Sequence, residues 1–460
     1  MVSMSPPWLC RDAEIIRSWC RDLRGIGNDA IALARPRTES EVAAALRYAA
    51  QRDWAVTPQG GNTSLVGGAV PVTSKPTMLL SLRYLDWVED SALHHGWIDA
   101  GAGVTLAQLH HRLADTQHRF AVDFGSRDSA TIGGAIATNA GGVRVLRHGS
   151  MRRQVIGLSV VLADGDTLVR LPQVRKDNTG FDWVSLLCGS EGALGVITAA
   201  RLRVIPKTVE LATYLVQCTS QATAFEIGDR IADSTDAEVV EYIDPRSWAI
   251  GAGQGDDDVH RLLIEATPAC LEEVLLETTS RRDIEVFVAT DASFKRRWWA
   301  VRDSITLALP ALGSVEKFDV SVPRARRAEL ISEADRLARQ MRARIFVFGH
   351  VGDDNLHLNL VWPASSDAAS RRDLVPEVLA IVASTGGSIS AEHGIGSTKL
   401  RYLSLARTPA EMELFERLKR CFDPSWMLNP GVLVPLPSGD EHVAQRGGGV
   451  RDDSVDRRVE

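Results

Sequence analysis

Apolar and polar positions alternate most informatively over residues 345–360. The run Ile345-Phe346-Val347-Phe348 leads into the turn residues Gly352-Asp353-Asp354-Asn355, and Leu356-His357-Leu358-Asn359-Leu360 leads out. Two apolar runs around such a cluster predict a β-hairpin. In the exit strand the leucines take one face and His357 and Asn359 the other, because side chains alternate with period two. His350, just before the turn, can point the same way. Elsewhere the pattern predicts helices within 11–50, strands at 78–82 and 96–103, and a short helix over 105–115. His110 and His111 in that helix read as surface residues. Beyond residue 210 the texture changes to amphipathic helices and strands, as at 223–234 and 262–266. A helix over 298–309 puts Arg302 and Thr306 on one face. A strand over 315–320 carries Lys317, and 411–420 is again helical. Residues 437–460 are glycine-rich and charged, and they predict a disordered tail.

Composition narrows the class. At 460 residues the chain needs two or three domains. Apolar content of 45% and charged content of 24% are ordinary for a soluble globular protein. A net charge of −7 gives no attraction to nucleic acid or an anionic membrane. The six cysteines contain no C-x-x-C pair, against a disulfide framework or an iron–sulfur cluster. No apolar run is long enough to cross a membrane. The start of the chain has no signal-peptide pattern, so a cytoplasmic location is expected.

Two sets of residues carry candidate chemistry. Glu392 and His393 stand side by side in SISAEHGIG, where small residues let backbone approach a ligand. His350, His357 and Glu392 would make an open catalytic metal site of two imidazoles and a carboxylate. A hydrogen-bonded histidine pair is the simpler reading of the first two. His393 would be left as an acid or base. Arg302 and Lys317 are ordinary surface charges unless they face this cluster, where they would anchor carboxylates. The second set is three small-residue loops: PQGGNTSLVGG at 58–68, TIGGAIATNAGG at 131–142 and GSEGALGVIT at 189–198. Successive backbone N–H groups in such loops can form an anion nest. Three of them in one region point to one large phosphate-bearing ligand.

These loops resemble, in order, the cofactor loops of vanillyl-alcohol-oxidase type FAD enzymes. GHVGDDNLHLN at 349–359, SISAEHGIG and DPSWMLNPG at 423–431 resemble a narrower branch, the FAD-dependent D-2-hydroxy-acid dehydrogenases, and most closely the D-2-hydroxyglutarate dehydrogenases. The resemblance implies an α+β fold. A two-subdomain FAD-binding (PCMH-type) domain would span 31–207, after an N-terminal helical extension at 1–30. An α+β substrate (cap) domain would follow at 208–422, and a C-terminal segment at 423–436 would return to the FAD domain. It implies noncovalent FAD and a divalent metal, Zn2+. Gly60, Gly61, Asn62, Thr63 and Ser64 would hold the diphosphate. Gly67, Thr131, Gly133, Gly134, Thr138, Gly141, Glu191, Gly192, Ile197 and Asn429 would line the rest of the cofactor. His350, His357 and Glu392 match metal ligands and His393 a general base. Arg302, Thr306, Lys317 and Asn359 match substrate-binding residues. Two positions depart from the family: Asp354 stands where it has glycine, and His148 where it has tyrosine.

The implied reaction is oxidation of a D-2-hydroxy acid to the 2-oxo acid, with D-2-hydroxyglutarate expected and D-lactate or glycolate the alternatives. The electron acceptor would be an electron-transfer flavoprotein or a quinone, and a homodimer is compatible. A metal-dependent hydrolase without flavin, or a catalytically silent binding protein, are the readings from other classes.

Overall fold

The structure is a computed structural model describing residues 6–174, 176–207, 211–255, 257–278, 283–363 and 368–437. The expected tail, from residue 438 on, lies outside the described residues.

In the N-terminal half, Ala32–Ala34, Thr77–Ser81 and Ala55–Gln59 pair in parallel, and Leu9–Cys10 adds an antiparallel edge. Thr77–Ser81 is buried throughout, as a parallel strand covered on both faces must be. The helix Glu39–Ala50 supplies one cover. Thr38 caps it by accepting from Glu41 N, and Val42, Ala45, Leu46 and Ala49 face the core. A five-stranded antiparallel sheet follows, in the order Val88–Glu89, Trp97–Gly101, Val196–Arg203, Val155–Val161, Thr167–Arg170. One apolar core joins the two sheets.

Two expectations change here. The first fifty residues are not simply helical: Ala13–Arg17 is one short turn of helix, and Ala32–Ala34 is a strand. Parallel pairing with Thr77–Ser81 overrides the helix propensity of its alanines. His110 is half-buried and not free in solvent, its Nε2 lying 3.0 Å from the Val122 carbonyl.

The C-terminal half is built on a seven-stranded antiparallel sheet. Its order is Ile284–Val288, Ala212–Cys218, His260–Ala266, Val239–Ile243, Arg344–His350, Asn355–Trp362, Ser314–Ser321. The central pair is the expected hairpin. One face is apolar, with Val216, Tyr242, Val347, Leu358 and Phe318 packing beneath the helices Gln221–Ser234, Arg327–Gln340 and Ala368–Ser384. The other face is mixed. Leu215, Ile243, Phe346 and Phe348 pack on Trp248 and Ile305, while Glu241, Glu265, Lys317, Asp319, His350, His357 and Asn359 stand on the rest of it.

The chain then returns to its first half. Helix Pro409–Phe422, closed by a Thr408–Glu411 capping box, ends at Asp423. Leu428 bridges Val56, with Asn429 N donating to Val56 O and Val56 N to Met427 O, both at 2.8 Å. Lys419, 1% exposed, locks this return. Its Nζ donates to Ala193 O at 2.8 Å and to Leu428 O and Asp423 Oδ2 at 2.6 Å. Lys419→Met keeps the apolar stem but leaves the Asp423 charge without its cation. Breaking one side of a buried pair costs about 3–5 kcal/mol, so the thermal midpoint is expected to drop clearly; an unchanged midpoint would show that the lysine does not hold the return in place.

Candidate active site

Register brings the sheet's chemistry together. Directly opposed residues of an antiparallel pair share a face. Phe348, His357 and Asp319 lie in one cross-strand row, Phe346, Asn359 and Lys317 in the next, and Glu241 opposes His350. The turn between the histidines keeps a left-handed residue at Asp354, φ +68°, which explains both the family's glycine and the tolerance of aspartate there. The turn aims Asp354 outward, 3.6 Å from Arg324. It is Asp353 that faces the interior.

Glu392 is the centre of the cluster. Its Oε1 lies 3.9 Å from His350 Nε2 and 3.8 Å from both His357 Nε2 and His393 Nε2. These gaps are too long for hydrogen bonds. They are close to the edges of a tetrahedral site with bonds of about 2.0–2.2 Å, which run about 3.4 Å. Behind the imidazoles stand carboxylates. Glu241 bonds His350 Nδ1, and Asp319 lies 3.8 Å from His357 Nδ1 and 3.6 Å from His393 Nδ1. The bond from Glu241 leaves Nε2 of His350 as its free donor atom. The donor set therefore suits a divalent ion. Among the described residues, Asp319, His357, Glu392 and His393 offer ligand atoms all within 4.8 Å of one another. Asp319 is already occupied: it accepts from Glu392 N, His393 N and Asn355 Nδ2, each at 2.8 Å. It is a brace for the Glu392–His393 corner. His393 thus stands as near Glu392 as the two expected nitrogen ligands do.

Electrostatics divide the histidines. Burial opposes the His350 charge, but Glu241 outweighs it and raises the pKa to about 9. Burial drives His357 down to about 4, despite Glu392. Burial also resists the Glu241 charge, yet Arg302 and His350 hold it well below the usual carboxylate range. Asp353 is pushed up to about 7, chiefly by burial.

The expected substrate residues flank this cluster. Arg302 donates its Nε to Glu241 at 2.8 Å, and its guanidinium lies 5.4 Å from the Phe348 ring. Thr306 is one turn further along the same helix, Ala292–Ala308. Lys317 opposes Asn359 across the strands, and its ammonium meets no protein partner among the described residues. Burial, and then Arg24, lower the Lys317 pKa.

The three loops meet pairwise. A Cβ on Gly60 would strike Thr131 Oγ1 at 2.3 Å, and one on Gly61 would strike Ser129 O at 1.9 Å. Gly192 sits against Pro58, and Gly189 N and Glu191 N donate to Ile136 O and Ala137 O. Gly133 packs on Ala102, Thr131 caps the helix Ile132–Ala137 at Gly134 N, and Thr138 bonds Gly134 O. Among the described residues, the backbone N–H groups of Gly60, Gly61, Asn62, Thr63 and Ser64 meet no protein acceptor. With Asn62 at φ +55° they form a half-buried row suited to a diphosphate. Gly67, at φ +69°, lies against Ser397. Three other expected cofactor residues have protein partners. Glu191 accepts from Ile395 N and Gly396 N, Asn429 donates to Gly68 O and Glu191 O, and Ile197 packs in the core. What they give the site is the course of its loops.

The halves join at Gly142 N, which donates to Glu392 Oε2 at 3.0 Å, with Gly141 beside it. There a cavity of about 240 Å³ lies between Asn139, Gly141 and Ser150 on one side and His350, Asp353 and Glu392 on the other.

Loops, junction and donor cluster define a flavin-dependent oxidoreductase. Residues 30–170 match the family described as FAD binding domain, and residues 209–433 the family described as FAD linked oxidases, C-terminal domain. The fold is similar to that of alkyldihydroxyacetonephosphate synthase, with a TM-score of 0.74 at 16% identity over 92% of this chain and 82% of that one. Mitochondrial D-2-hydroxyglutarate dehydrogenase of Rattus norvegicus is 34% identical over 91% of this chain and 80% of its own. That of Bos taurus is 35% identical, covering 91% and 78%. The chain belongs to the D-2-hydroxyglutarate dehydrogenase family and is an FAD-dependent hydroxy-acid dehydrogenase. This sets aside the flavin-free hydrolase. Both relatives carry "mitochondrial" in their names, which lends nothing to the cytoplasmic expectation; no helix among the described residues is long and apolar enough to cross a membrane.

Asp319→Asn tests the brace. It turns one acceptor oxygen into a donor facing donors, at about 1–3 kcal/mol for each buried group left unpaired. The thermal midpoint is expected to fall, and the segment around Glu392 to become protease-sensitive. A digestion pattern and midpoint like wild type would mean the corner holds without Asp319.

Proposed function

We propose that the protein oxidises D-2-hydroxyglutarate to 2-oxoglutarate at the Glu392 cluster. The observation that carries this reading is the cluster's position between two cations, Arg302 beside Phe348 and Lys317, without a partner among the described residues, beside Asn359. Two cations suit a dicarboxylate better than the single carboxylate of D-lactate or glycolate. The relatives' names support the same substrate.

His350, His357 and Glu392 are the residues that would hold the metal, and the Gly60–Ser64 row the FAD diphosphate. When bound, the flavin supplies a two-electron acceptor and the metal a Lewis acid that lowers an alcohol pKa. The chain's own groups do the rest. Arg302 clamps one carboxylate, its Nε already fixed by Glu241. Lys317 and Thr306 receive the second carboxylate, and Asn359 steadies the reacting end. His393 takes the hydroxyl proton on Nε2. Asp319 stands behind the ring, 3.6 Å from His393 Nδ1. His393 is suited to this because its side chain is 28% exposed, against 7% for His350. The flavin is held noncovalently by the three loops; His148, the residue to suspect if flavin stays with acid-precipitated protein, lies 3.2 Å from Glu238.

A dye-reduction screen over D- and L-hydroxy acids checks the substrate; a preference for L-acids or for monocarboxylates would overturn it. Chelation should abolish turnover while FAD stays bound, and zinc, manganese or cobalt should restore it unequally. His350→Ala should lose the metal. His393→Ala should keep it and slow turnover by about 10²–10⁴. Full activity in protein shown metal-free by elemental analysis would sink the metal role.

Arg302→Ala should cost about 2–5 kcal/mol in kcat/KM with flavin content unchanged. Wild-type kinetics on every active hydroxy acid would reduce Arg302 to a structural charge.

A further inference from the structure

Glu241 touches both working parts of the site and belongs to neither. It is 0% exposed and opposes His350 in the sheet. Its two oxygens are used separately: Oε1 bonds His350 Nδ1, and Oε2 accepts from Arg302 Nε at 2.8 Å. The sheet has no need of a charge there, since the same cross-strand row is filled by Leu215 and Leu263. Burying a carboxylate at such a point costs free energy that an apolar residue would not.

Each contact has a consequence beyond packing. A carboxylate on Nδ1 fixes the His350 tautomer, turns Nε2 toward Glu392 and raises its basicity as a ligand. A carboxylate on Nε holds the guanidinium side-on. The terminal nitrogens are left free of a hydrogen bond to Glu241, and the half-exposed Asp303 lies 3.6 Å from Nη1.

We propose that Glu241 is a positioning residue that ties the substrate-carboxylate clamp to the metal site, by holding Arg302 and His350 on its two oxygens. The inference rests on the reading above, in which Arg302 binds substrate and His350 binds metal. It has a consequence that simple structural support lacks. Arg302 and a metal-bound His350 draw on the same negative charge. Removing that charge weakens the metal site. Removing Arg302 leaves the charge to His350 and takes a cation away from the ion, so the metal binds more tightly. The two variants therefore move metal affinity in opposite directions.

The test uses FAD-loaded protein, stripped of metal and titrated with Zn2+ against a chromophoric chelator, without substrate. Glu241→Gln offers one acceptor oxygen where two are used. It should weaken Zn2+ binding by about 10- to 100-fold and raise KM for the hydroxy acid, with flavin content unchanged. Arg302→Ala should tighten Zn2+ binding severalfold while KM rises. Variants that both weaken zinc, or that both leave it unmoved, overturn the proposal. If Glu241→Gln does not fold, the Arg302→Ala titration decides alone: tighter binding supports the link, and equal or weaker binding refutes it. Wild-type protein that takes up no zinc would overturn the metal reading itself and this inference with it. Zinc bound normally in wild type and both variants overturns the inference only.

Discussion

Glu241, Glu265 and Asp319 are buried on one face of one sheet, at 0%, 1% and 1% exposure. A buried carboxylate without partners would cost more than a marginally stable fold can tolerate, so each must be met. No strand of the sheet can meet all three. Glu265 takes Lys295 Nζ at 2.8 Å, Trp299 Nε1 at 2.9 Å and Arg144 at 3.3 Å. Glu241 takes Arg302, and Asp319 the backbone of Glu392 and His393. Lys295, Trp299, Arg302 and Thr306 recur at helical spacing, so satisfying the glutamates docks helix Ala292–Ala308 across the sheet with Thr306 on the same stripe. Asp319 places the Glu392–His393 corner in the same way. The site's geometry follows from the need to neutralise its own scaffold.

The N-terminal half has the complementary need. Its loops cross so closely that a side chain at Gly60 or Gly61 would strike Thr131 or Ser129, and the row of N–H groups that results has no acceptor among the described residues. One half is rich in buried carboxylates and the other in donors seeking an anion. They meet where Gly142 N reaches Glu392, Arg144 reaches Glu265, and Glu191 accepts from Ile395 and Gly396. The polar face of the sheet is therefore a domain junction, and the cavity lies in it.

That junction is where sequence reading falls short. The alternation of Leu356, Leu358 and Leu360 with His357 and Asn359 foretells which residues share a face, and the sheet bears it out. The pairing of Glu392 with His393, and the glycines of the loops, were legible because rare residue combinations mark them. Asp319 was passed over because, between Phe318 and Val320, it alternates as a solvent-facing strand residue would. Period two reports a polar face without saying whether water or another domain covers it. Glu241 carried a fainter signal, a lone acid inside the run Val239–Ile243, all of it buried. Nothing local names its partners, which lie 61 and 109 residues away. Ala32–Ala34 was missed for a different reason: short alanine-rich strands are made by tertiary pairing alone.

Charge links the proposed metal to the proposed substrate. Glu241, Asp319 and Glu392 put three negative charges in the site; Arg302 and Lys317 return two, and His350, its pKa raised to about 9, returns a third while no ion is bound. A dicarboxylate would bring two more negatives into a site with no positive charge to spare. Like charges at 4 Å repel by ~4 kcal/mol even at an effective dielectric of ~20. Asp353 registers the crowding. Burial pushes its pKa to about 7 against His350 and the Asn355 backbone N–H, and Glu392 and Glu241 press the same way as burial. A divalent cation among the histidines and Glu392 turns the balance positive. In the proposed reading a bound ion would supply two things: a Lewis acid for the hydroxyl, and the charge that lets a dianion share a pocket with carboxylates the fold cannot do without. A monocarboxylate would need that second service less, so the metal and the dicarboxylate are parts of one electrostatic solution.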